Sequence, residues 1–226
     1  MAFSDKAWGY EAVVFDLDGT LIDSMRVWKE VDAKFLSLRG LAVPPDYFDA
    51  VGAMGFRRTA EYTIERFSLQ ETPEALMEEW REMAWDEYAN NVGLKPGVGE
   101  FLRVLKDAGV RAGIATSSPR ALCRAALRRN GIEGMFDAVC SADDIGRGKD
   151  FPDIFIYAAG KLDASPERCL AFEDNVSAAK SAKLAGMAVC GVYDESSVSR
   201  WDEMKRVADA VIMDFSEARE RFFRKA

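Results

Sequence analysis

The chain has 226 residues, 49% of them apolar, and carries a formal charge of −8 with no histidine. That size suits one large α/β domain or a core with a smaller insertion, and the acidic balance argues against nucleic acid or anionic lipid as partners. The lack of histidine excludes Ser-His and Cys-His catalysis and histidine-ligated zinc, so acid/base work falls to Asp, Glu, Lys, Tyr or Cys.

In chain order, the opening Met1-Ala2-Phe3-Ser4-Asp5-Lys6 has no signal-peptide hydrophobic region. No apolar run approaches the roughly 20 residues of a membrane span, so a cytoplasmic protein with no membrane contact is expected. Ala12 to Phe15 is a short apolar run with β-branched residues and reads as a buried strand of a parallel sheet. Asp16 and Asp18 follow at once, with Gly19 allowing a sharp turn. In an open α/β sheet ligands bind beyond the carboxyl ends of the strands. Two carboxylates so close each resist ionising unless a cation or a shared proton relieves them.

Past Thr20 the period changes to that of helices. Trp28, Val31, Phe35 and Leu38 mark one apolar face, ended by Gly40 and Pro44-Pro45. A second helix is predicted over Arg58 to Phe67, carrying Ala60, Ile64 and Phe67. A third opens at Pro73 and buries Met77, Trp80, Ala84 and Tyr88. The cap tryptophans Trp28, Trp80 and Trp85 read as packing residues. No strand is predicted between Leu21 and Val92, so residues 21–92 read as an all-helical cap inserted into a core of residues 1–20 and 93–226.

Beyond Pro96-Gly97 the alternation is regular. A helix over Val98, Phe101, Leu102 and Leu105 closes at Gly109, and Val110 to Ala115 is a strand. Ser118-Pro119 caps a helix to Asn130, stopped by Gly131. Strands follow at Ala138 to Cys140, Cys169 to Phe172, Ala188 to Val192 and Ala210 to Met213. Helices open at Pro152, at Asn175 and at Ser216. The fold class predicted is α/β, a doubly wound parallel sheet flanked by helices, with the cap inserted after its first strand. Cys123, Cys140, Cys169 and Cys190 form no C-x-x-C pair and read as reduced core residues.

The residues just past the predicted strands form a short polar set. Asp16 and Asp18 follow the first, Thr116, Ser117 and Ser118 the second, Glu173 and Asp174 the fourth. Four carboxylates gathered at one edge of a partly dry crevice need a counterion, and hard oxygen ligands select Mg²⁺. Lys149, in the loop before the Pro152 helix, offers further positive charge.

These segments resemble the motifs of the haloacid dehalogenase superfamily, in its branch of β-phosphoglucomutase-like phosphatases with a helical cap. The first motif is Phe15-Asp16-Leu17-Asp18-Gly19-Thr20-Leu21-Ile22-Asp23-Ser24 and the second Ile114-Ala115-Thr116-Ser117-Ser118. The third is Gly148-Lys149 ahead of Pro152-Asp153-Ile154-Phe155, and the fourth Phe172-Glu173-Asp174-Asn175. The resemblance implies that Asp16 is a nucleophile forming an aspartyl phosphate and that Asp18 is the general acid/base. It implies Mg²⁺ held by Asp16, the backbone carbonyl of Asp18, Asp174 and Glu173, and phosphoryl oxygens held by Thr116, Ser117 and Lys149.

Two departures stand out. Asp150-Phe151 replaces the proline usual after the third-motif lysine, and Trp28 stands where the mutases of this branch have a cap histidine. Arg57 matches their cap arginine for a second phosphate. The expected protein is a monomeric Mg²⁺-dependent phosphatase of a small phosphorylated metabolite, a sugar phosphate. A sugar phosphomutase and a non-catalytic binding protein of the same fold are the alternatives. Substrate choice is expected from Met25, Trp28, Met54, Phe56 and Arg57.

Overall fold

The computed structural model describes residues 9–52 and 54–222. The chain start read above for a leader, and Ala53 in the stretch before Arg57, lie outside the described residues. Strands β1 (Ala12–Phe15), β2 (Arg111–Thr116), β3 (Ala138–Ser141), β4 (Cys169–Glu173), β5 (Ala188–Val192) and β6 (Ala210–Ile212) pair in parallel in the order β3-β2-β1-β4-β5-β6. The order reverses between β1 and β4, which makes their carboxyl ends the topological switch point. Register brings Phe15 beside both Phe172 and Ile114, so the residues just after β1 and at the end of β4 lie side by side.

Side chains alternate along each strand as the pleat requires. Val13, Phe15, Leu170 and Phe172 face one apolar cluster, Ala12, Val14 and Ala171 the other. The Phe15 and Phe172 rings stack at 5.1 Å, and Phe101 and Phe215 pack around both. This aromatic block fixes the two strand ends that carry acids. All four cysteines are free and buried.

Between β1 and β2 the regular elements are helical: α1 (Met25–Ser37), α2 (Tyr47–Val51), α3 (Phe56–Phe67), α4 (Pro73–Asp86) and a π-helical turn over Glu87–Asn91. Pro73 opens α4 and the Thr72 hydroxyl accepts from Ala75 N at 3.3 Å, a cap at the predicted place. The other helices are α5 (Val98–Asp107), α6 (Arg120–Arg129), α7 (Asp153–Lys161), α8 (Val176–Leu184), α9 (Trp201–Val207) and α10 (Phe215–Phe222).

The structure corrects several details. Helix α3 begins at Phe56, and the short helices α2 and α9 carry too few periodic residues to be read from the sequence. Leu38 is 67% exposed because α1 ends at Ser37, and Leu36 fills the core instead. Trp85 is exposed, so it packs less than its residue type suggests. Ser118 is not the cap of α6, whose first turn follows Pro119 with no side-chain cap.

The sheet and the helical block share one apolar cluster, running from Phe15 through Leu21 and Ile22 to Val31, Phe35 and Trp80. Their two connections run side by side. Ile22 bridges Leu94, Asp23 N donates to Gly93 O at 3.0 Å, and Lys95 N donates to Leu21 O at 3.0 Å. Away from these linkers the block lies close on the core at Gly55, where a Cβ would come within 3.3 Å of the Ala142 Cβ.

Candidate active site

Asp16 leaves β1 tied to the neighbouring strand, its N–H donating to Phe172 O at 2.9 Å. Glu173 closes β4, and the turn after it is fixed by Asn175, whose side chain accepts from Ser177 N at 2.9 Å and Ala178 N at 3.2 Å. Gly19 turns the chain with φ +84°, and a Cβ there would lie 2.5 Å from Asp174 Oδ2. Glycine is required both by the dihedral and by the space. Lys95 Nζ holds this turn by donating to Gly19 O at 2.9 Å while pairing with Asp194 at 2.8 Å.

Asp16, Glu173 and Asp174 are buried, and each offers an oxygen within 4.8 Å of the other two. Lys149 is buried between them, its Nζ 2.6 Å from Asp16 Oδ1 and in an ion pair with Glu173. The change to Asp150-Phe151 therefore leaves the lysine in place, and Phe151 turns outward under Arg147. Burial pushes the Asp16 and Asp174 carboxyls up, and repulsion adds to it, from Asp18 on Asp16 and from Asp16 and Glu173 on Asp174. Burial would push the Lys149 ammonium down, but the Asp16 and Glu173 carboxylates outweigh it and hold it above the ordinary lysine range.

Fully ionised, the three carboxylates would outnumber the one ammonium by two negative charges, which adds to burial in raising the proton affinities of Glu173 and Asp174. Asp16 Oδ2 is buried with no hydrogen-bond partner among the described residues. A hard, all-oxygen donor set with that residual charge and an orphaned oxygen fits a divalent cation such as Mg²⁺. Both Glu173 oxygens are already engaged, one by Lys149 and one by Asn175 N at 3.2 Å, so Asp16 and Asp174 are the less encumbered donors.

Asp18 is turned out of this triad. Its carboxylate accepts from Ser24 Oγ and Ser118 Oγ, each at 2.6 Å, and from the Tyr88 hydroxyl. Burial and the Asp18 charge push the Tyr88 phenol well up, so it stays a neutral donor. The three hydroxyls come from the first linker, the core and the helical block. Ser118 and Tyr88 were missed from sequence because a serine before proline reads as a cap and a tyrosine at helical spacing reads as core.

Of the other residues singled out by sequence, Ser117 lines the cavity with a buried hydroxyl that has no partner among the described residues. Thr116 is fully buried and its hydroxyl accepts from Ser118 N at 2.9 Å, which shapes the turn rather than facing the cavity. A cavity of about 170 Å³ rises from Asp16, Asp18, Ser117 and Lys149 to a roof of Met25, Trp28, Met54, Phe56 and Trp80. Arg57 is not in that lining. Its side chain is 54% exposed and pairs with Glu74 on α4 at 2.8 Å. Asp32 on α1 also lines the cavity, and burial pushes its carboxyl up to about 7.

The model of the haloacid dehalogenase-like hydrolase family matches residues 10–186. YhcW of Bacillus subtilis is 32% identical over 179 residues, covering 78% of this chain and 80% of that protein. The phosphorylated carbohydrates phosphatase of Thermotoga maritima is 27% identical over 177 residues, covering 78% and 82%. Among solved structures, a CbbY mutant from Rhodobacter sphaeroides superposes with a TM-score of 0.80 at 22% identity, over 92% of this chain and 96% of that one, a likeness of fold. The chain belongs to the haloacid dehalogenase-like hydrolases. Within that family its class is phosphoric monoester hydrolase. No helix among the described residues is long and apolar enough to cross a membrane.

Proposed function

We propose that this protein is a Mg²⁺-dependent phosphatase that hydrolyses a small phosphorylated metabolite, a sugar phosphate, through an aspartyl phosphate on Asp16. One observation carries the reading: Lys149 is buried between Asp16 and Glu173 while the second Asp16 oxygen is unpartnered beside the cavity. A carboxylate approaches a phosphate dianion only where positive charge offsets their repulsion, and this is the place in the fold built for that. Relatives named as phosphatases of phosphorylated carbohydrates and of hexitols support the substrate class.

In this reading Asp16 attacks phosphorus while Asp18, in its protonated form, gives its proton to the leaving alcohol. The Asp18 carboxylate so formed then draws a proton from the water that releases phosphate and frees Asp16. Ser24, Ser118 and Tyr88 aim the Asp18 carboxylate and keep it off the metal-binding group. Ser117 Oγ and Lys149 Nζ hold the phosphoryl oxygens as charge develops, and Thr116 shapes the loop that presents Ser117. Asp16, Asp174 and the backbone carbonyl of Asp18, with Glu173 beside them, would hold Mg²⁺. The ion supplies electrostatic stabilisation of the transferring phosphoryl group.

Residues 21–92 act as the cap that roofs the cavity, with Trp28 in the roof, over a core of 1–20 and 93–226. Tyr88 reports its seating to Asp18. The mutase alternative is the weaker one, since Arg57 is drawn to Glu74 rather than into the cavity. The test is phosphate release from sugar phosphates with and without chelator. EDTA is expected to remove activity and excess Mg²⁺ to restore it, and unchanged rates in EDTA would contradict the metal's part.

A further inference from the structure

The roof of the cavity holds two polar groups that the proposed phosphoryl chemistry does not use. Asp32 is 8% exposed, lines the cavity from α1, and has neither a hydrogen bond nor an ion pair among the described residues. Trp80 is 2% exposed, lines the same cavity from α4, and its buried Nε1 has no partner among the described residues. Aromatic contacts tie the two helices here, with Trp80 against Phe35 at 5.2 Å and Trp28 and Trp80 each against Phe56. A buried donor left unpaired beside an apolar pocket is costly, and the Asp32 carboxylate, which opens onto the same pocket, has no cation among the described residues to offset it. The charges nearest by position do not answer Asp32. Lys29, one turn earlier on α1, is exposed at the cavity, and Arg200 is paired with Glu203 at 2.9 Å.

A hydroxyl is the ligand group that satisfies both, since it donates and accepts. An ammonium would leave the Trp80 N–H unmet, and a second phosphate or a carboxylate would face the Asp32 charge. Resting on the phosphatase reading above, we infer that Asp32 and Trp80 Nε1 form the specificity end of the cavity. They take the hydroxyls of the alcohol part of a phosphate monoester that carries no second anionic group.

The test compares the wild type with Asp32→Leu, Asp32→Asn and Trp80→Phe in Mg²⁺. The readout is kcat/KM for a straight-chain polyol monophosphate divided by that for p-nitrophenyl phosphate, which has no hydroxyl to offer. The ratio is expected to fall at least about tenfold in Asp32→Leu and about threefold in Trp80→Phe, mainly through KM for the polyol phosphate. Asp32→Asn, which keeps an acceptor oxygen, is expected to recover part of the loss.

The unfolding midpoint of ligand-free Asp32→Asn is expected to match or exceed the wild type, because no folded-state partner is lost. Equal losses on both substrates, an unchanged ratio in Asp32→Leu, or a lowered midpoint in Asp32→Asn would overturn the assignment. Wild type that releases phosphate from neither substrate would instead overturn the phosphatase reading on which it rests.

Discussion

Asp16→Asn is expected to lower phosphate release by roughly 10⁴-fold or more while leaving the fold intact. Asparagine keeps the shape of the side chain but removes the nucleophilic charge and the anionic oxygen at Oδ2, which is buried and unpartnered. The fold has little reason to suffer. Asp16 is one of three buried carboxylates, and its charge adds to burial in raising the proton affinity of the other two, Glu173 and Asp174, so losing it relieves both. Lys149 keeps its ion pair with Glu173. Steady-state assay and thermal unfolding of the purified variant check both halves, and activity within tenfold of wild type would remove Asp16 from the chemistry.

Lys149→Met is expected to damage both stability and activity. The methionine fills much of the space of the lysine stem, so packing changes little, but Asp16 and Glu173 lose the cation that pairs with both. Removing one partner of a buried ion pair costs about 3–5 kcal/mol. The sign of the pH dependence follows from the same charges. With the ammonium gone the two carboxyls are held still further above their unfolded values, so the folded state binds more protons and stability falls as pH rises. The deficit relative to wild type is therefore expected to be larger at about pH 8 than at about pH 5, and to shrink when Mg²⁺ is added. Chemical unfolding at the two pH values, with and without the metal, measures it. A deficit that is independent of pH and of Mg²⁺ would mean that Lys149 acts through packing.

Much of this site was legible in the sequence because its chemistry sits next to strand ends. The run Ala12–Phe15 is short, apolar and β-branched, so the residues after it are placed by the sheet alone. The same logic located Ser117 after β2 and Glu173 and Asp174 at the end of β4. Lys149 was found by its place before α7, although its neighbour Phe151 departs from the usual proline. What sequence could not give depends on contacts between distant segments. Arg57 fits a pattern, but whether a flexible guanidinium reaches the cavity or Glu74 is decided by where α4 lies. Ser118 reads as a cap until the fold brings Asp18 to within 2.6 Å of it.

Asp32 and Trp80 show the same limit from the other side. An aspartate three residues before Phe35 reads as the polar edge of an amphipathic helix, and Trp80 reads as core. Only the packing of α1 against α4 reveals that both line a shared cavity, Trp80 with an Nε1 that has no partner among the described residues and Asp32 with no ion pair among them. Trp28 likewise lines that cavity while packing edge-on against Phe56 and Tyr88, so one residue serves both packing and lining.

The most direct test is rapid mixing of Asp18→Asn with p-nitrophenyl phosphate in Mg²⁺, followed by quenching and peptide mass analysis. This leaving group needs no proton, so formation of the phosphoenzyme survives the loss of the acid while its hydrolysis, which needs the base, does not. The expected result is a burst of one p-nitrophenolate per enzyme, little turnover after it, and one phosphoryl group on the peptide that contains Asp16. Steady turnover with no burst, or a phosphoryl group on any other residue, would contradict an attack on phosphorus by the Asp16 carboxylate.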